Sequence, residues 1–138
     1  MATQIIQWNI RGLLRNLDDI QELLYKHNPK VLCVQETHLK STHTNFLRQY
    51  VTFRKDRDDG LASSGGVAIM THKSIACQRL QLQMPLEAVP VRLVLLNKLI
   101  TICSLYVPPH YHLHKHEFQS FIDELPEPYL VLGDLNAH

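Results

Sequence analysis

The sequence lacks most of what marks a secreted, membrane-spanning or nucleic-acid-coating protein. It holds only three cysteines, Cys33, Cys77 and Cys103, too few and too scattered for a disulfide scaffold. Cys33 and Cys103 lie inside apolar runs and read as small buried hydrophobes in a reducing compartment. No apolar run approaches the roughly 18 residues that a membrane-crossing helix requires. The opening Met1-Ala2-Thr3-Gln4 has neither the charged nor the apolar region of a secretory leader, so an intracellular protein is the expectation. An excess of one charge is missing too: 14 Lys and Arg against 13 Asp and Glu leave a net +1. If this chain meets nucleic acid, local geometry and not bulk charge must hold it. No Gly-Lys-Ser/Thr follows Gly65-Gly66, which removes a phosphate-cradling loop and leaves a strand-entry turn.

What is present is enough for one domain. The chain has 138 residues, 45% of them hydrophobic and 20% charged, so it can bury a core and is not disordered. It carries no internal repeat and no low-complexity tract. Gln4 to Ile10 is β-branched and aromatic and stops at Arg11-Gly12, which predicts a first strand. Asn16 to His27 places Leu17, Ile20, Leu23 and Leu24 on one helical face. Asn16 is the candidate cap, Asp18 and Asp19 suit the positive end of the helix dipole, and Pro29 follows the end. Val31 to Gln35 is nearly all apolar, as in a strand buried on both faces. Strand, helix, strand in this order predicts a βα crossover unit. Thr37 to Arg48 is irregular, and the mixed charges of Arg54 to Gly60 read as a solvated loop. Gly66 to Met70, Ile75 to Gln83, Val89 to Leu96 and Leu99 to Tyr106 are strand-like. Asn97-Lys98 is the candidate hairpin turn, and Pro90 is expected at an edge or a strand start. Lys115 to Leu125 has helical spacing of Phe118, Phe121, Ile122 and Leu125, and Tyr129 to Leu132 reads as a last strand. The fold class is therefore mixed α/β.

Polar residues collect where these strands end. Asn9 ends the first, Gln35-Glu36-Thr37-His38 the second, Tyr106 the strand before Pro108, and Asp134 and Asn136 the last. Strand ends of a layered sheet protein gather at one edge, where sites form. Taken singly, each has an ordinary structural reading. Glu36 suits Mg²⁺ as a hard oxygen ligand, or else accepts backbone hydrogen bonds. Asp134 suits a base that orients a water, or else starts a turn. Asn9 and Asn136 are amides able to meet phosphate oxygens and carboxylates, or turn residues. The Tyr106 phenol reaches a scissile phosphate, or packs at a rim. His110 to His116 holds four of the nine histidines; it reads as a solvated loop, since no cysteine or carboxylate cluster completes a Zn²⁺ or Ni²⁺ site.

Together the motifs resemble a family. Trp8-Asn9-Ile10-Arg11-Gly12-Leu13, Gln35-Glu36-Thr37-His38-Leu39, Gly65-Gly66-Val67-Ala68-Ile69, Leu105-Tyr106-Val107-Pro108-Pro109 and Gly133-Asp134-Leu135-Asn136-Ala137-His138 occur in order. They look like the successive motifs of the endonuclease/exonuclease/phosphatase superfamily. In wording they are similar to the apurinic-type endonuclease domain of non-LTR, LINE-like retrotransposons of the jockey-like sort. The resemblance implies a four-layered α/β sandwich of the DNase I-like type. It implies Mg²⁺ (or Mn²⁺) held by Glu36 with Asn9 beside it, and a water oriented by Asp134. Asn136 and Tyr106, with Asn9, would contact the phosphate. The implied reaction is phosphodiester hydrolysis that nicks DNA and leaves a 3′-hydroxyl, and the implied place of action is the nucleus. In a full-length element a reverse transcriptase would follow on the same chain.

The family's second half, with its Ser-Asp-His motif, does not appear in these residues, and His138 belongs to the Asp-x-Asn-Ala-His loop. Residues 1–138 are thus expected to be a single partial domain with little or no activity by itself. One sheet is expected to lack its partner, exposing apolar faces near Val91 to Leu96 and Ile100 to Cys103. Two other functions fit the motifs less well: a phosphoinositide or nucleotide phosphatase of the same superfamily, and a non-catalytic relic or binding module.

Overall fold

The computed structural model describes residues 4–44, 47–57 and 64–135. Among the described residues eight strands and two α-helices follow one another, with a short 3₁₀ turn (Leu14–Asn16) before the first helix: β1 (Ile5–Asn9), α1 (Leu17–His27), β2 (Val31–Gln35), β3 (Tyr50–Arg57), β4 (Ser64–His72), β5 (Cys77–Arg79), β6 (Glu87–Leu95), β7 (Lys98–Tyr106), α2 (Lys115–Asp123) and β8 (Tyr129–Asp134). They form two four-stranded sheets, ordered β1-β2-β4-β3 and β5-β6-β7-β8. Each sheet has one parallel pair, β1 with β2 and β7 with β8, and each pair is joined through a helix. A parallel pair needs such a crossover because its second strand must start again at the same end.

Period-two alternation distributes the strand residues between layers. Val31, Cys33, Val67, Ile69, Val89, Val91, Leu93 and Ile102 meet between the sheets and are fully buried. The opposite face of the first sheet packs Leu32, Val34, Ala68 and Met70 under Ile20 of α1, with Leu17 and Leu24 beside it. The opposite face of the second packs Cys103, Leu105 and Ala88 under Phe121 of α2. The result is four layers, helix, sheet, sheet, helix, as the resemblance implies.

Several expectations need correction. Neither sheet lacks a partner: Val91, Leu93 and Ile102 are fully buried because β4 lies over β6 and β7 while β2 lies over β7 and β8, and Cys103 is buried on the other face, under α2. Val94, Leu96 and Leu99, near the distal turn, stay exposed, as do Tyr129 and Leu130 on the edge strand β8. Arg54 to Arg57 is strand and not loop, paired antiparallel with β4, and residues 58–60 lie outside the described residues. The strand expected over Ile75 to Gln83 shrinks to Cys77–Arg79. The hairpin turns on Leu96-Asn97, at φ +51° and +62°, since Leu95 pairs with Lys98. Pro90 sits within β6, a central strand. Its carbonyl accepts from the Leu80 N–H at 3.0 Å. Its missing N–H therefore falls on the β5 side, past the end of β5, and the ladder to β7 is untouched. Asn16 precedes α1 but caps differently: its side-chain amide donates to the carbonyls of Ile10 and Gly12 and ties the helix start to the end of β1.

Candidate active site

The C-terminal ends of both parallel pairs lie at one edge of the sandwich. There the inward-facing positions turn polar: Asn9 on β1, Gln35 on β2, Ser104 and Tyr106 on β7, Asp134 on β8. Asn9 is the Cα partner of Gln35, and Tyr106 that of Asp134. Just below the edge, Gln35 and Ser104 are fully buried. The Gln35 amide donates to the Ser104 hydroxyl at 3.1 Å, and that hydroxyl donates to the Val34 carbonyl at 3.2 Å. The Gln7 amide donates to the Gln35 oxygen at 2.5 Å. This chain of bonds satisfies polar groups that burial would otherwise penalise, and it ties the two sheets together beneath the site.

The edge strands meet across 125 residues of sequence. Asn9 Nδ2 donates to Asp134 Oδ2 at 2.8 Å. With its nitrogen committed, the amide turns its oxygen the other way. Asn9 Oδ1 is buried and has no hydrogen-bond partner among the described residues. Such an oxygen is costly to leave bare and is a hard donor for a cation.

Glu36 follows β2 in the left-handed region, at φ +54°, and its loop is clamped from two sides. Its carbonyl accepts from the Gly12 N–H at 2.8 Å, and the Thr37 carbonyl accepts from Leu13 at 2.8 Å. On the far side Thr37 and His38 donate to the carbonyls of Gly66 and Gly65 at 3.2 and 2.9 Å. Strained backbone held by its neighbours in this way is a feature of functional sites. Gly66, at φ +90°, has no room for a side chain, since a Cβ would lie 2.5 Å from Thr37 Oγ1. The Glu36 carboxylate is partly exposed, 3.9 Å from His38 Nε2.

Tyr106 is nearly buried. Burial pushes its phenol above the ordinary value, and the Glu36 carboxylate raises it further. Arg57 opposes the rise, while Asp134 and Glu87 add to it. The phenol therefore stays protonated, a donor, through neutral pH. Arg57 and Glu87 were not singled out in the sequence. Arg57 lies 5.9 Å from the centre of the Tyr106 ring and grips Glu87 with two hydrogen bonds of 2.5 and 3.2 Å. Glu87 also accepts from the Gly66 N–H at 2.9 Å. The pair bolts β3 and β4 to β6 beside the site. Its members are 30 residues apart and Arg57 sits in a mixed-charge run, so the strand signal there is limited to the β-branched and aromatic residues Tyr50 to Phe53.

Asn9, Glu36, Tyr106 and Asp134 are thus brought to one edge, and Asn136 lies outside the described residues. Among the described residues no three His, Cys, Asp or Glu side chains form a metal cluster, the His110 to His116 run included. The donors that fit a divalent cation are the Asn9 amide oxygen and the Glu36 carboxylate. Mg²⁺ accepts one or two protein ligands and keeps water for the rest.

A four-layered α/β sandwich with Asn, Glu, Tyr and Asp gathered at one strand-end edge is the class that the fold and site define. The profile of the Endonuclease/Exonuclease/phosphatase family matches residues 6–138. The chain belongs to that family. It is 29% identical over 142 residues to a probable RNA-directed DNA polymerase from transposon X-element of Drosophila melanogaster, covering 99% of this chain and 15% of the relative. It is 27% identical over 135 residues to the RNA-directed DNA polymerase from mobile element jockey of Drosophila funebris, covering 94% of this chain and 14% of that one. Among solved structures it is similar to the endonuclease domain of TRAS1, a telomere-specific non-LTR retrotransposon. There the TM-score is 0.73 at 16% identity, over 99% of this chain and 61% of that one. Among the described residues no helix is long and apolar enough to cross a membrane.

Proposed function

We propose that this chain carries the phosphodiester-cleaving residues of a retrotransposon DNA endonuclease. The observation that carries the reading is the Asn9–Asp134 hydrogen bond, which joins both edge strands and leaves a buried amide oxygen facing away from it. Glu36 and Asn9 would hold Mg²⁺, which when bound offsets charge on the phosphate oxygens. Asp134, oriented by the Asn9 amide, holds and deprotonates the attacking water. The Tyr106 phenol, kept neutral by burial, donates to a phosphate oxygen. Asn136, two residues beyond Asp134, adds a second phosphate contact. The product is a nick with a free 3′-hydroxyl.

The kinship with jockey and X-element proteins supports DNA, and not a phosphoinositide or nucleotide, as substrate. In the element a reverse transcriptase would share the chain, and the work would be done in the nucleus. The chain covers 61% of the TRAS1 domain. That coverage supports a further part of the reading: residues beyond these 138 complete the site, and nicking by this chain alone is slow.

The test is relaxation of supercoiled plasmid in Mg²⁺, with Glu36→Ala and Asp134→Asn alongside. We expect slow, Mg²⁺-dependent conversion to open circles, which each substitution lowers on the order of 10²-fold or more. Nicking that ignores both substitutions, or phosphomonoester release without nicking, contradicts the reading.

A further inference from the structure

Beside Tyr106 lies a cavity of about 330 Å³. Its inner wall is Tyr106 and the Arg57–Glu87 pair, and its rim is Pro108, His110 and Tyr111. We propose that this cavity is a subsite for a single unstacked nucleobase next to the cleaved phosphate, with the Tyr111 ring as its stacking platform. The assignment rests on the DNA reading above and adds to it the way the strand is gripped.

Three observations carry it. The first is size. The volume lies at the low end of small-molecule sites, which run from roughly 300 to 1,000 Å³. A single base fits within that volume. The second is Tyr111 itself. The ring is 40% exposed, so it contributes little to the core. Yet it is held in place: its phenol donates to Glu117 Oε2 at 2.8 Å, and Glu117 Oε1 accepts the His114 N–H at 3.2 Å at the start of α2. An exposed aromatic ring fixed before any ligand arrives can stack a base without an ordering cost. A cap for α2 alone does not need an aromatic ring, because the His114 N–H already meets the other Glu117 oxygen.

The third observation is position. The cavity shares Tyr106 with the candidate active site, so a base seated in it belongs to a nucleotide adjoining the phosphate that the phenol meets. A base inside a duplex must leave its stack to reach such a pocket, and stacking on an aromatic side chain offsets that loss whatever the base. The subsite would therefore favour easily unstacked steps more than a particular letter. Arg57 and Glu87, gripping each other, present a guanidinium and a carboxylate to the edge of the base.

The test uses the 138-residue chain and a fluorescein-labelled duplex with a single nick, which fixes the register at the product. A 2-aminopurine stands on one side of the nick or the other. We expect its emission to rise on binding at one of these two positions. Tyr111→Ala should abolish that rise and weaken binding about tenfold, while Tyr111→Phe, which keeps the ring, should preserve most of both. Binding seen by anisotropy with no rise at either position, or with a rise that survives Tyr111→Ala, overturns the subsite and leaves the DNA reading standing. Absence of any anisotropy change overturns the DNA reading, and the subsite with it.

Discussion

Glu36 shows how a site residue departs from what its neighbours in sequence suggest. Its candidacy rests on its place after an apolar strand, and that place says nothing of its backbone. A residue with a Cβ at φ +54° is strained by roughly 1–2 kcal/mol, and nothing in Gln-Glu-Thr-His announces that. The strain arises from long-range clamps, the carbonyls of Gly65 and Gly66 on one side and the amides of Gly12 and Leu13 on the other. A consequence can be measured. Glu36→Gly and Glu36→Ala both remove the carboxylate, but only glycine relieves the strain. We predict a higher melting temperature for the glycine variant than for the alanine one, and loss of nicking in both. At the buried thiols the reading from sequence holds: Cys33 and Cys103 are fully buried and Cys77 is partly exposed. Cys77 should react first with a thiol reagent, and the other two only on unfolding. Burial pushes the Cys33 thiol from 9.0 up to about 12. The folded state therefore favours the protonated thiol. Its contribution is intact below pH 9 and is lost as pH rises through about 12. Urea titrations across that window should show a shallower loss of stability for Cys33→Ala than for the unaltered chain.

Secondary-structure elements were legible where periodicity was undiluted, as in α1, β2, β7 and α2. They were hidden where charge or turn chemistry intervened. β3 carries Arg54, Lys55, Asp56 and Arg57 in succession, yet it is an edge strand. Edge strands tolerate charge because one side of their ladder faces solvent and repels unwanted pairing. The hairpin after β6 turns one residue earlier than Asn97-Lys98, at a leucine whose side chain disfavours positive φ. At φ +51° and 71% exposed it is both strained and idle. Replacing Leu96-Asn97 by Asn-Gly should stabilise the chain by about 1 kcal/mol, a rise of roughly 4 °C in melting temperature. Gly133 is the opposite case. A Cβ there would overlap the Leu105 carbonyl oxygen of the neighbouring strand. Gly133→Ala should pry β8 from β7, displace Asp134 from Asn9, and appear as loss of amide protection in both strands.

At the scale of the whole molecule, the sequence supported a layered α/β protein with its polar residues at one edge. The fold confirms four layers and brings Asn9, Glu36, Tyr106 and Asp134 there. What could not be read was which strands face which. β4 over β6 and β7 buries faces that pattern alone left without a cover, and it brings Arg57 to Glu87 and Tyr106. Those pairings depend on contacts between distant segments, which no local window contains. The central claim is that Glu36 and Asn9 form a divalent-cation site between the two sheets. The most direct test is Mn²⁺ titration of the ¹⁵N-labelled chain, read as paramagnetic broadening of amide signals. The account predicts that substoichiometric Mn²⁺ broadens residues around Asn9, Glu36, Tyr106 and Asp134 first, and that Glu36→Ala removes the effect. Broadening centred on His110 to His116, or unchanged by Glu36→Ala, would contradict it.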